Sequence, residues 1–227
     1  MSKAGLEPDS SSTRPLYLYL SSSEDLPSQG WKVLHELHEH GHAVPIAAIN
    51  VVIEASMSVG HIDEAVGLYK QLHTLCESGA NTETFNVVLQ GCSHRKSKDL
   101  AMFLASEMAA LGVKPDQLTY DRLILACLSE DDYEDAFLYL EEMKAAADLK
   151  GNEGWWVRSG TATALVKRCV THGDDRAWLM LNEMDKKGYS KSGRLRTWAE
   201  QNWKGGIEAH LPPPSSENKL SNWAAAT

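Results

Sequence analysis

No run of apolar residues in the 227-residue chain approaches the roughly 18 that a membrane-crossing helix requires, so no transmembrane segment is expected. Neither a signal peptide nor an Arg-rich amphipathic leader stands at its start. Cysteine is sparse, with four in all and none in a CxxC pair. Three of them share one recurring position, which suits small core residues in a reducing compartment better than a disulfide framework or a zinc site. No Gly-rich phosphate loop follows a strand, and no strand pattern is evident. There is no HxE accompanied by PCxxC, nor a cluster of aspartates late in the chain, which removes the deaminase and metallonuclease signatures. Net positive charge is missing too. The formal charge is −9 and the isoelectric point near 5.5, adverse for a nucleic-acid binder because phosphate attraction is the main affinity term. That exclusion holds only for evenly spread charge. Here Lys186, Lys187, Lys191, Arg194, Arg196 and Lys204 face only Glu200 over residues 186–204. A second basic cluster, Arg95, Lys96 and Lys98, reads as a solvated face.

What is present is helical periodicity. Apolar content of 43% beside 23% charged residues is ordinary for a soluble globular chain with a core. The clearest segment is 82–116. It holds an apolar helix pattern from Phe85 to Cys92, a polar break at Ser93–Ser97, and a second amphipathic helix. In that helix Ala101, Leu104, Ala105, Met108 and Leu111 form one stripe. Gly112 sits where a helix needs its stop, and Pro115 forbids continuation. A helix hairpin of about 35 residues cannot bury its own apolar face, so it must stack on copies of itself.

The copies are present. Taking Ala101 as an anchor, equivalent small residues are Gly30, Ala65, Ala136 and Ala177, at steps of 35, 36, 35 and 41 residues. Seven residues after each anchor come Leu37, Leu72, Met108, Met143 and Met184. Ser56, Cys92 and Cys127 lie nine residues before their anchors, and Cys169 one residue closer. Such a period signals an α-solenoid of helix pairs.

The array divides into repeats at 11–45, 46–81, 82–116, 117–158 and 159–192, a capping helix at 193–204 and a disordered tail at 205–227. Repeat one has a short first helix, Thr13–Leu20, carrying Pro15 in its first turn, and a second from about Pro27 to His40 stopping at Gly41. An insertion with Trp155 and Trp156 precedes repeat five. These indoles suit either packing over the join between repeats four and five or stacking of bases, with packing preferred because large aromatic side chains are most often core. Met1–Asp9, MSKAGLEPD, matches Met108–Asp116, MAALGVKPD, so residues 1–10 read as the end of a preceding repeat. That phase implies the C-terminal part of a longer array, or a truncated gene model, with any targeting sequence upstream.

Several stretches carry a recognisable pattern: Thr84-Phe85-Asn86-Val87-Val88-Leu89, Leu118-Thr119-Tyr120-Asp121, Gly60-His61-Ile62-Asp63-Glu64-Ala65, Gly112-Val113-Lys114-Pro115-Asp116, Tyr133-Glu134-Asp135-Ala136 and Gly173-Asp174-Asp175-Arg176-Ala177. Together they resemble the pentatricopeptide repeat, over about residues 1–192 and most closely over 46–143. The tetratricopeptide pattern is absent. The resemblance implies an all-α solenoid of about five helix-turn-helix repeats in a right-handed superhelix, with a C-terminal capping helix. It also implies binding of single-stranded RNA at roughly one base per repeat. In that family the fifth residue of a repeat's first helix and the repeat's last residue face the base. The positions carried over are two full pairs, Asn50 with Asn81 and Asn86 with Asp116, then Asp121 and Thr163 singly, with Ser192 as the candidate partner of Thr163. By the same analogy the Asn/Asn pair favours cytosine and the Asn/Asp pair uracil. Repeat one has Pro15 and Pro45 at these places, a departure that removes it from base reading. The implied setting is mitochondrial, in RNA processing, stability or translation.

The competing reading is a helical protein-interaction scaffold in organellar ribosome or respiratory-complex assembly, since helical arrays bind proteins on their concave faces. Asn in register with apolar neighbours favours RNA, because that is a poor place for an amide unless the face is a groove. His35, His38, His40 and His42 do not make a metal site: the zincin spacing needs His at 39, where Glu39 stands. The acidic cluster at Glu130–Asp132 and Glu134–Asp135 has no convergent partner for general acid–base work. The expectation is therefore no enzyme, no cofactor, no metal and no small-molecule substrate.

Overall fold

The computed structural model describes residues 10–205, except 96 and 150. Among the described residues there are eleven α-helices and no strand. They are α1 (Ser10–Leu20), α2 (Leu26–Glu39), α3 (Ile46–Ser58), α4 (Ile62–Leu75), α5 (Thr82–Arg95), α6 (Lys98–Ala110), α7 (Gln117–Cys127), α8 (Glu134–Ala147), α9 (Ser159–His172), α10 (Arg176–Lys186) and α11 (Ser192–Asn202). The chain divides into two compact units, 1–157 and 158–227.

In the first unit the odd-numbered helices α1, α3, α5 and α7 stack side by side, each on the next. The even-numbered helices form a second layer, each on its own predecessor and, for α2, α4 and α6, on the following odd helix too. This is the all-α solenoid of helix pairs. The anchors Ala65, Ala101 and Ala136 are fully buried, and Leu72, Met108 and Met143 seven residues on are buried with them. Ser56, Cys92 and Cys127 are completely enclosed. Burial pushes the Cys92 thiol up to about 11 and that of Cys127 up to about 12, the latter helped by Asp135. In the second unit α9 and α10 pack together and α11 covers both. Ala177, Met184 and Cys169 are buried there in the same roles.

The pairs that end at α2, α6 and α10 close by the same device, a left-handed glycine with two amides bonded back to the helix. At α6 the Gly112 amide donates to Ala109 O at 3.1 Å and the Val113 amide to Met108 O at 3.0 Å, satisfying two of the terminal carbonyls. Gly112 must adopt φ 67°, which a Cβ disfavours.

Several sequence expectations need correction. Leu111 is 61% exposed and Leu37 43% exposed, so neither belongs to the core stripe. Leu111 is already the C-cap of α6, where the backbone turns away from the buried face. Leu37 lies on the outer side of α2, which is exposed together with Val33. Helix α5 continues to Arg95, three residues into the expected polar break. Helix α1 begins at Ser10, so Pro15 lies inside it rather than in its first turn. Lys98 is not part of a solvated face. It is 8% exposed, its Nζ 2.8 Å from Asp135 Oδ2 and donating to Asp132 O at 2.9 Å. The acidic start of α8 thus holds a buried cation, and the Asp135 bond raises the Lys98 pKa. The segment 1–9 and the tail from 206 lie outside the described residues.

Gly112→Ala is expected to lower stability by about 1–2 kcal/mol, the cost of a left-handed conformation for a residue with a Cβ, read as a shift of the urea midpoint. Native Cys92 and Cys127 are expected to resist alkylation at pH 8 and to react once the chain is unfolded, as peptide mapping after labelling would show.

Candidate nucleic-acid interface

The stacked odd helices place their fifth residues in line. Asn50 on α3, Asn86 on α5 and Asp121 on α7 are 2%, 5% and 3% exposed. Burying amides and carboxylates among apolar neighbours is costly unless their polar atoms are bonded. For the two asparagines the bonds come from the N-terminal turn of the next odd helix.

At the start of α5 the Thr84 amide donates to Asn81 Oδ1 at 2.9 Å, and the Asn81 amide donates to Thr84 Oγ1 at 3.1 Å. Asn50 Nδ2 reaches across from α3 to Asn81 Oδ1 and to Glu83 Oε2, both at 3.3 Å. Thr84 Oγ1 donates to Asn50 Oδ1 at 2.7 Å. The start of α7 repeats the scheme. The Thr119 amide donates to Asp116 Oδ1 at 2.7 Å, and the Asp116 amide to Thr119 Oγ1 at 3.1 Å. Asn86 Nδ2 donates to Asp116 Oδ1 and Oδ2 at 3.1 and 3.2 Å. The structure therefore brings together Asn50 with Asn81 and Asn86 with Asp116, each pair joined across successive helix pairs.

The capping role decides what each closing residue can offer a ligand. A helix-start amide needs an oxygen, so Asn81 turns Oδ1 inward, where it also meets Asn50. Its NH2 group, a double donor, is the end that remains. Asp116 also caps with Oδ1, but its other end is Oδ2, an acceptor. Two sites built on the same cap thus differ in the second end of the capping side chain, an NH2 donor at Asn81 and a carboxylate oxygen at Asp116. Asn86 Oδ1 is buried with no hydrogen-bond partner, whereas Asn50 uses both ends of its amide.

The other expected positions are placed differently. Asp121 holds the equivalent buried place on α7. The insertion runs back over the start of that helix, where Gln117 Nε2 donates to Trp156 O at 2.5 Å. Trp156 is buried and Lys144 Nζ stands 5.5 Å from its ring centre, so this indole packs within the first unit. In the second unit Thr163 donates its hydroxyl to Ser159 O at 2.7 Å, a turn back in its own helix. Ser192 is buried and bonded to Asp185, and it and Arg196 hold that carboxyl below the usual carboxylate range. Pro45 is the N-cap of α3, with extended backbone.

Side chains not singled out in the sequence complete the surface. A cavity of about 290 Å³ between α3 and α5 is lined by Glu54, Met57, Ser58, Val87 and Gln90. Arg122 of α7 donates to Asn86 O and, at 2.9 Å, to Gln90 Oε1. Burial raises the Glu54 pKa against the opposing pull of Arg14, and Glu83 raises it further. Thr84 and Thr119 had a readable signal: each stands three residues after an Asn or Asp at a helix start, the spacing of a capping box. Glu54, Gln90 and Arg122 carried none, since only stacking of the odd helices brings them together. Among the described residues no group of His, Cys, Asp and Glu is arranged to hold a metal ion. His35 instead packs its ring edge-on against Trp31, with centroids 5.2 Å apart.

A family model described as pentatricopeptide repeat-containing protein matches residues 1–72, and one described as pentatricopeptide repeat domain matches 103–147. Among curated relatives, pentatricopeptide repeat-containing protein At4g21170 of Arabidopsis thaliana is 32% identical over 96 residues, covering 41% of this chain and 16% of its own. Pentatricopeptide repeat-containing protein At1g26460, mitochondrial, from the same plant, is 24% identical over 155 residues, covering 68% and 23%. The chain thus spans less than a quarter of these relatives' length. Among solved structures, the pentatricopeptide repeat protein PPR10, known from maize, in complex with an 18-nt psaJ RNA element aligns with TM-score 0.57 and 22% identity, over 84% of this chain and 28% of that one. The pentatricopeptide repeat domain of Arabidopsis protein-only RNase P 1, in complex with tRNA, aligns with TM-score 0.62 and 14% identity, over 83% and 96%. At these identities the likeness shows the fold.

Asp116→Ala removes both the cap of α7 and the acceptor for Asn86 Nδ2. It is expected to destabilise the chain by about 1–3 kcal/mol. Asp116→Asn keeps the capping oxygen and should cost clearly less, so that urea midpoints order as native, Asn, Ala.

Proposed function

The chain belongs to the pentatricopeptide repeat family, and from that premise we propose that it binds single-stranded RNA in a mitochondrial setting, acting on the processing, stability or translation of a transcript. Two positions read bases: the Asn50/Asn81 pair and the Asn86/Asp116 pair. The observation that carries this reading is the opposite sign of the two groups presented. An NH2 donor at Asn81 complements the ring-nitrogen acceptor of cytosine. A carboxylate acceptor at Asp116 complements the ring N–H of uracil. Single strands leave these Watson–Crick edges free. The RNA bound in the PPR10 and RNase P 1 complexes, and the mitochondrial designation of one relative, support the same reading.

Base contacts of this kind supply about 1–3 kcal/mol each. Two of them fall short of the roughly 8 kcal/mol of micromolar binding, so sequence-independent contacts must add the remainder. The scaffold reading differs in its expected response: protein binding is indifferent to Asn86→Ala and RNA binding is not.

The test is selection of a random single-stranded RNA pool on the full chain, beside Asp116→Asn and an Asn50→Ala/Asn86→Ala double variant. Enrichment of a short pyrimidine motif is expected, with uracil exchanged for cytosine at one position in Asp116→Asn. Equal pools from native chain and double variant at low salt would overturn base reading and leave the scaffold.

A further inference from the structure

Charge is divided sharply along this chain. Residues 1–157 hold 11 Lys and Arg against 24 Asp and Glu, a net −13. Residues 158–205 hold ten against five, a net +5. Several acids of that second stretch are already engaged. Arg176 lies 2.6 Å from Asp174, Arg196 2.6 Å from Asp185, and Lys186 3.0 Å from Glu183. Lys167, Lys191, Arg194 and Lys204 are exposed beyond these pairs.

The cations are not scattered. On α11 the buried residues are Ser192, Leu195 and Ala199. Lys191, Arg194 and Trp198 follow one another at i, i+3 and i+7, on the flank beside that buried face. Trp198 is half-buried, and Lys167 Nζ of α9 stands 5.5 Å from its ring centre. The placement of this pair repeats a feature of the first unit. Lys167 is four residues after Thr163, as Gln90 is four after Asn86, and Trp198 of the next stacked helix reaches Lys167 as Arg122 of α7 reaches Gln90. Trp198 therefore lies on the side of its unit that corresponds to the reading face of α5 and α7.

We propose that Lys167, Lys191, Arg194 and Trp198 form a second, sequence-independent RNA-contact surface, in which Trp198 stacks on a base and the three cations hold the adjoining phosphates. This rests on the RNA reading above and gives it contacts that base reading lacks. An indole with a flat face accepts any base, and a cation already poised over its ring reinforces the stack. Lys191 and Arg194 stand about one turn apart on one flank, so both can meet the same stretch of strand. In this unit Thr163 turns its hydroxyl back on Ser159 O and Ser192 is bonded to Asp185, so the cations and the indole, rather than the paired reading groups of the first unit, face the strand.

The test uses the full chain with fluorescein-labelled oligouridylate and oligocytidylate of 16 nucleotides across a salt series. The variants are Lys191→Gln/Arg194→Gln, Trp198→Ala, Trp198→Phe and Asn86→Ala, each checked by thermal melting. The double Gln variant should weaken both oligomers to the same degree and reduce the slope of log K against log salt by about 1.4, since each phosphate contact on a single strand contributes about 0.7. Trp198→Ala should cost about tenfold on both, and Trp198→Phe much less. Unchanged slope and affinity in the double variant, with Asn86→Ala still losing its base preference, would overturn the surface and leave base reading intact. Loss of preference in none of the variants, together with the expected drop in slope, would overturn base reading instead. Displacement of RNA by polyglutamate as readily as by polyuridylate, with Trp198→Ala silent, would assign the surface to an acidic protein and overturn the proposal.

Discussion

The capping oxygen at the start of α5 and of α7 is the point on which the stacking of α3, α5 and α7 depends. One atom, Asn81 Oδ1 or Asp116 Oδ1, closes the first turn of its own helix and receives the side-chain amide of the helix before it. Because the donor and the cap belong to successive helix pairs, this atom also fixes how one pair sits on the next. A cap alone is worth about 1 kcal/mol. The larger consequence is geometric. Asn50 and Asn86 are buried, and a buried amide is tolerable only in the orientation that satisfies its N–H groups. The cap thereby sets the rotation of the neighbouring side chain, and with it the chemical sign of the groups presented beyond it.

Stacking alone would not achieve this. The small anchors Ala65, Ala101 and Ala136 let helices approach closely, and the Leu or Met seven residues on fills the space between them. Such apolar contacts are permissive of small rotations, because dispersion has no direction. Hydrogen bonds at 2.7–3.3 Å across the α3–α5 and α5–α7 joints remove that freedom. The core supplies adhesion, and the caps supply register. The same division explains why Lys98 can be buried at the start of α6: its partner Asp135 belongs to α8, one pair further on, and the ion pair is another directional tie between neighbours.

The helix pairs were legible because their determinants are local and recur: Gly112 as a stop, Ala101 as an anchor, Cys92 as a small enclosed residue. The paired residues Asn50/Asn81 and Asn86/Asp116 were legible only through the family resemblance, since 30 or so residues separate the partners. What local pattern could not show was exposure at the margins. Leu37 and Leu111 continue an apolar period, yet one lies on an uncovered side and the other at a helix end, where periodicity no longer reports direction. Lys98 misled for the opposite reason. A cation in a basic run is normally solvated, and only the approach of α8 made it internal. Glu54, Gln90 and Arg122 belong to the same class, as their meeting depends on three helices stacking in order.

The distribution of charge separates affinity from discrimination. Glu54 and Glu83 lie beside the Asn50 pair, and burial already disfavours charge on Glu54. A phosphate brought close to these carboxylates would be repelled, so on the RNA reading proposed above the Asn50 site would take a base edge offered without its backbone. A surface that reads bases through amide and carboxylate groups gains selectivity from such repulsion, because a wrongly placed strand meets like charge as well as a mismatched edge. Selectivity obtained this way weakens total binding, and the compensation must come from places where phosphate is welcome. On the reading proposed above, residues 158–205, with twice as many basic as acidic side chains, supply it. The negative net charge that argues against nucleic-acid binding is therefore an average over two stretches of opposite sign, and the physically meaningful quantity is the charge of each.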